Sequence, residues 1–167
     1  MFSCNAPVPG RVSRIADDLY PLLVGFERVR ERHSLLVKRL GDADGGADHL
    51  VGRVRRALSG LPPVRVRTGG IGVFEDPPVG TGPVVYLAVE SPGIVTAHER
   101  LVEEFGAVEG LEGEGYVPHV TLARGGDPAA VRRLRERDPD PVTWTVEELH
   151  VFDAAHEEVA ARISLPA

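Results

Sequence analysis

A single cysteine, Cys4, leaves no partner for an internal disulfide and no thiolate set for a cysteine-based metal site. Its place near the start of the chain, in an expected frayed terminus, also counts against a catalytic thiol. Long apolar runs are missing too. No window approaches the roughly 20 apolar residues that span a bilayer, and Met1 to Gly10 lacks a basic stretch followed by an apolar one. A soluble, unexported protein of the cytoplasm is expected, with no membrane partner. Positive charge is scarce: 19 Lys and Arg stand against 25 Asp and Glu, a formal net charge of −6. That balance excludes the broad basic surface with which proteins grip long duplexes, though not a small cationic pocket. Lys38 is the only lysine, so nearly all the positive charge is guanidinium. At 167 residues the chain suffices for one substantial core, and a single domain over 1–167, monomeric, is the expectation.

What is present alternates between helical and extended patterns. An extended segment from Ala6 through Pro9 to Val12 leads into "SRIADDLYPLLVGFERVR", where Ser13 is placed to cap a helix carrying Ile15, Leu19, Leu22 and Leu23 at helical spacing. Pro21 puts the second half of that helix in doubt, because it cannot donate an intrahelical hydrogen bond. "RHSLLVKRLG" reads as a strand stopped by "GDADGG", and 47–58 as a helix with Leu50, Val51, Val54 and Leu58 on one stripe. "VRVRTGGIGVFE" alternates with period two until its glycines signal a bend or bulge. "PVVYLAVE" is a strand, "GIVTAHERLVEEFG" a helix closed by Gly106, "YVPHVTLARGG" a strand and "DPAAVRRLRERD" a capped helix. "VTWTVEELHVFDA" and "VAARISLP" close the chain as a pair of strands. This mixed order favours α+β over a doubly wound parallel sheet.

Two segments resemble each other. In "RHSLLVKRLGD" and "PHVTLARGGD" a histidine opens an aliphatic strand, a basic residue follows five positions later (Lys38, Arg124), and glycine and aspartate end it. The repetition suggests two similar lobes, each giving one histidine to a shared cleft. Along a strand, residues i and i+2 share a face, so His119 and Thr121 present an imidazole and a hydroxyl side by side. That pair suits a phosphate, the imidazole exchanging a proton near neutral pH and the hydroxyl donating to a non-bridging oxygen. With His33 as a second imidazole, one ring activates a hydroxyl or water while the other protonates the departing oxygen, with no metal required.

With these paired segments, from "VPGRV" through "HVTLARGG", the chain resembles the two-histidine phosphoesterases, the LigT or 2′-5′ RNA ligase-like family. The resemblance implies a bilobal α+β fold with a pseudo-twofold axis, two antiparallel-rich sheets around a central cleft and helices outside. It implies catalysis by His33 and His119 on a 2′,3′-cyclic phosphate at an RNA end or on a small cyclic nucleotide, in some members with ligation, and without a cofactor. His119 is then the general base and His33 the general acid, labels that exchange with the oxygen that leaves, and Thr121 holds the phosphate. The family signature is histidine, any residue, then Thr or Ser, twice. Here the first copy has Leu35 two places after His33, and Ser34 one place after it, where a regular strand turns it to the opposite face. Ser34 serves as the missing hydroxyl only if a bulge redirects it.

Further residues have two readings. Phe74 is a stacking ring at the cleft edge or a core residue, and Tyr116 offers a second ring. Arg124 and Lys38 add charge near the strand ends that can steer and bind the substrate, yet strand parity puts both off the histidine face and favours solvated side chains, as for Arg32. His49 and His98 are expected on helix surfaces, and His150 and His156 flank a hairpin where they can meet. No histidine or carboxylate cluster has zinc spacing. The arginines of "VRRLRERD" are read as a solvated helix face. An RNA-end or nucleotide-binding protein with little catalysis, or a purely structural domain, are the other classes open to this chain.

Overall fold

The computed structural model describes residues Met1–Ala167. It has nine strands in two antiparallel sheets and four α-helices. The first sheet runs β3 (Ser34–Gly41), β1 (Phe2–Pro7), β8 (Glu148–Asp153), β9 (Glu158–Ser164). The second runs β2 (Arg28–Val29), β6 (His119–Arg124), β5 (Val84–Glu90), β4 (Val64–Phe74), β7 (Thr143–Val146). Helices α2 (Ala47–Ala57) and α3 (Pro92–Phe105) pack together, α3 against β3 and α2 against β9. α1 (Gly10–Leu23) and α4 (Pro128–Arg135) pack together beside β6 and β4. The buried faces join in one apolar cluster. The fold is α+β, as expected, and the strands of the two similar segments, β3 and β6, lie in different sheets and face one another.

Several local expectations are corrected. Extended chain begins at Phe2, not at Ala6, so Cys4 lies in an inner strand between β3 and β8 and is fully buried, its thiol pushed up to about 12 by that burial. Helix α1 starts at Gly10 after Pro9 in extended conformation, which leaves Ser13 inside the first turn and not at the cap. The helix also continues past Pro21 to Leu23. Pro21 and Asp17, four residues before it, are both exposed, so water can satisfy the carbonyl that proline leaves unbonded. The closing pair of strands is a trio: "VTWTVEELHVFDA" is divided at Glu147 between β7 in one sheet and β8 in the other.

Glycine-rich β4 is bulged as its sequence suggests, with the register shifting between Thr68 and Ile71. Edge strand β3 is bulged as well: Leu36 pairs with Asn5 and Lys38 with Cys4, so Val37 has no partner on β1. The extra residue turns Lys38 inward. Contrary to the expected solvated side chain, Lys38 is 2% exposed and meets Glu112 at 2.5 Å. Glu112 also accepts from the backbone N–H groups of Arg39 (2.9 Å) and Val108 (3.0 Å). One buried carboxylate thereby satisfies a sheet-edge donor and fastens the loop after α3 to β3.

Burial alone raises the Glu112 carboxyl. The hydrogen bonds from Lys38, Val108 and Arg39 and the Lys38 charge outweigh it and hold the group below its ordinary value of 4.5. A carboxyl with a depressed folded-state pKa stabilises the fold above the unfolded-state value, and that contribution is lost as pH falls through the folded value. Glu112→Ala is expected to cost about 3–5 kcal/mol in denaturant unfolding, because it strands a buried ammonium. Lys38→Met with Glu112→Leu should recover most of that loss, and stability of the unmodified protein should fall below about pH 4.

Candidate functional site

β6 carries a bulge of the same kind as β3. Thr121 pairs with Tyr86 and Ala123 with Val85, so Leu122 has no partner on β5. Ahead of the bulge, His119 and Thr121 are half-buried on one face while Val120 and Leu122 point into the core. Past it the phase reverses, Ala123 is buried and Arg124 returns to the face of His119. Parity in a regular strand predicts the opposite, and this is the correction for Arg124. On β3 the extra Val37 does the same: Leu35 and Val37 point inward, Leu36 outward, and beyond the bulge Lys38 is buried and Arg39 outward. The two strands therefore match as Ser34 with His119, Leu36 with Thr121, and Arg39 with Arg124.

A cavity of about 190 Å³ is lined by Leu36 and Arg39 from β3, by Phe74, His119 and Arg124 from the second sheet, and by Tyr116, with further walls from 76–79 and the loop at 110–117. His119 Nδ1 lies 2.7 Å from the Val117 carbonyl. A carbonyl only accepts, so Nδ1 carries the proton and Nε2 is left for acid–base work. The ring is packed by Phe74 edge-on at 5.1 Å and by Tyr86 at 5.2 Å, and these two stack on each other at 4.3 Å. Gly72 makes this possible, because a Cβ there would stand 2.4 Å from the Tyr86 ring. Burial lowers the His119 pKa from 6.5; the Val117 hydrogen bond opposes this, while Arg39 and Arg124 add to it. The imidazole is thus neutral at physiological pH and stands between two guanidiniums, an arrangement suited to an anion that it can protonate or deprotonate.

Tyr116 forms part of the wall and also holds it. Its hydroxyl donates to the Leu36 carbonyl at 2.8 Å, and its ring stacks on His98 at 3.8 Å. Burial pushes its phenol well above the ordinary value. His98, expected on a helix surface, is 1% exposed, with Nδ1 2.7 Å from the Val37 carbonyl and Nε2 accepting from Gly113 N–H. It falls on the buried stripe Ile94, Ala97, His98, Leu101, where its two nitrogens satisfy backbone groups of the β3 bulge and the loop. His150 and His156 do not pair with each other; they bond Glu148 and Asp153, each at 2.7 Å.

Of the sequence candidates, Phe74, Tyr116, His119 and Arg124 meet at one cavity. Thr121 lies beside Tyr86 on the face of His119, and Ser34 is exposed at the start of β3, both outside the cavity lining. His33 precedes β3 and is also outside that lining. Its Nε2 is buried with no hydrogen-bond partner in the chain. Burial lowers its pKa, with Asp17 opposing and Arg30 adding to the shift. Arg39 and Tyr86 were not singled out by the sequence. Arg39 becomes visible only when the two similar segments are aligned with Ser34, in place of His33, opposite His119. No three His, Cys, Asp or Glu side chains are grouped to hold a metal ion, and no helix is long and apolar enough to cross a membrane.

Solved structures share this fold along nearly the whole chain. TT0787 of Thermus thermophilus has a TM-score of 0.69 at 21% identity, covering 98% of this chain and 97% of that one. LigT of E. coli, solved in complex with 3′-AMP, has a TM-score of 0.71 at 16% identity, covering 99% and 98%. Usb1 of Kluyveromyces marxianus has a TM-score of 0.53 at 14% identity, covering 99% and 96%. No curated protein sequence matches the chain significantly. The model of the 2′-5′ RNA ligase superfamily matches residues 26–158, a span that includes β3, β6 and both bulges. The chain belongs to this superfamily, the two-histidine phosphoesterases.

Proposed function

We propose that the protein is a phosphodiesterase that opens a 2′,3′-cyclic phosphate at an RNA end or on a small nucleotide. The observation that carries this reading is His119: its Nδ1 is committed to Val117, its Nε2 is available, and Arg39 and Arg124 flank it at a cavity. The 3′-AMP bound by E. coli LigT has its phosphate on a ribose oxygen of the kind that ring opening produces. In the proposed reaction His119 Nε2 takes a proton from water as the water oxygen bonds to phosphorus. The bond from phosphorus to one ribose oxygen breaks, and that oxygen takes a proton from a second acid. Arg39 and Arg124 neutralise the charge that builds on the non-bridging oxygens, and Thr121 donates a hydrogen bond to one of them. His33 is the second acid in the two-histidine form of this mechanism.

A second reading, a nucleotide-binding protein of the same fold with little turnover, is favoured by the β3 register. Ser34 occupies the place that matches His119, and His33 stands one residue earlier, outside the cavity lining. The two readings differ in what His33 does.

His119→Ala should lower kcat on a nucleoside 2′,3′-cyclic phosphate by about 10²–10⁴-fold, the usual worth of a general acid or base. His33→Ala should cost a comparable factor if both imidazoles act. Near-unchanged binding of a nucleoside 3′-phosphate alongside negligible turnover in the unmodified protein would replace the first reading with the second. Burial first, and then the positive neighbours, disfavour the imidazolium, so the acid limb of kcat/KM should have its midpoint below 6.5 and move upward in Arg39→Gln.

A further inference from the structure

Next to the His119 cavity lies a second one, of about 380 Å³, lined by Glu27, Arg28, Val29, Arg30 and Arg124. Arg124 belongs to both, so its side chain forms the wall between them. β2 is the edge strand of its sheet, and Arg28 pairs with Arg124 across the ladder. The Arg30 backbone N–H bonds the Leu122 carbonyl at 2.8 Å, which anchors the backbone that carries this guanidinium. Three guanidiniums are thus gathered on one short edge, close enough that Arg28 and Arg30 both disfavour the charged form of Arg124.

Three arginines elsewhere form ion pairs, Arg53 with Glu104, Arg135 with Glu75 and Arg162 with Glu148. Arg28 and Arg30 form no ion pair, and Glu27, the one acid in the lining, pairs with neither. On a protein of net charge −6, three guanidiniums gathered on one strand face, around a concavity that adjoins the His119 cavity, suit an anion.

We propose that Arg28, Arg30 and the outer side of Arg124 bind a second phosphate of the substrate, one nucleotide away from the phosphate at His119, so that the substrate is the end of a nucleic-acid strand and not a lone nucleotide. The inference rests on a phosphate occupying the His119 cavity. A cyclic mononucleotide has one phosphate and leaves the arginines of β2 uncontacted. A strand end brings a further phosphodiester, which a fork-shaped guanidinium recognises without reading the base.

The test is a binding measurement that needs no turnover. Affinities are determined by calorimetry for a nucleoside 3′-monophosphate, a nucleoside 3′,5′-bisphosphate and a dinucleotide ending in a 3′-phosphate. Each is titrated into the unmodified protein and into Arg28→Gln with Arg30→Gln, whose folding is checked by thermal melting. The dinucleotide is expected to bind about tenfold or more tighter than the monophosphate in the unmodified protein, as one charge-assisted contact provides. In the double variant that ratio should fall close to one. No gain for the dinucleotide, a gain that survives the two substitutions, or a gain confined to the bisphosphate overturns the proposal. Turnover of a cyclic mononucleotide, measured in parallel, tests the phosphoesterase reading by itself.

Discussion

Val37 in β3 and Leu122 in β6 each stand without a partner in the ladder beside them, and each reverses the phase of the residues that follow. The site depends on that reversal. Without it, Arg39 and Arg124 would point into the core, where an unpaired guanidinium is costly, and His119 would face a cavity with no cation. The β3 bulge imposes a cost, because it turns Lys38 inward, and Glu112 offsets it with an ion pair and two backbone hydrogen bonds. Stability and chemistry meet in these few residues: the carboxylate that neutralises Lys38 also holds the loop from which Tyr116 reaches the Leu36 carbonyl.

The electrostatics follow from the same geometry. Four guanidiniums gather around one cleft of an acidic protein, with Arg39 on one sheet and Arg124, Arg28 and Arg30 on the other. In the half-buried space beside Phe74 and Tyr86 their charge is less screened than it would be on open surface, and the imidazole between them is held neutral. An anionic phosphate reverses that balance. It attracts the guanidiniums and stabilises the proton that His119 Nε2 takes from water as the reaction proceeds.

Much of this was legible in the sequence where the signal is local. The alternation His119, Val120, Thr121, Leu122 announces a half-buried strand, the glycines of β4 announce its bulge, and the α+β order follows from the succession of elements. Arg124 and Lys38 were misassigned, and Arg39 passed over, because a bulge at an aliphatic residue leaves no local mark: whether Val37 and Leu122 have partners is decided by β1 and β5, far away in the chain. Cys4 was misplaced for a related reason, since only pairing with β3 and β8 makes the first residues an inner strand. His98 was readable, because it falls on the stripe of Ile94, Ala97 and Leu101, but polarity was given more weight than position.

The central claim is that His119, Arg39 and Arg124 converge on one phosphate, and a histidine-detected NMR titration with and without a nucleoside 3′-monophosphate tests it most directly. The account predicts a His119 midpoint below 6.5 in the free protein, an upward shift when the ligand is bound, and a much smaller shift in Arg39→Gln and Arg124→Gln. A His119 resonance that titrates at or above 6.5 and does not respond to the ligand would contradict it.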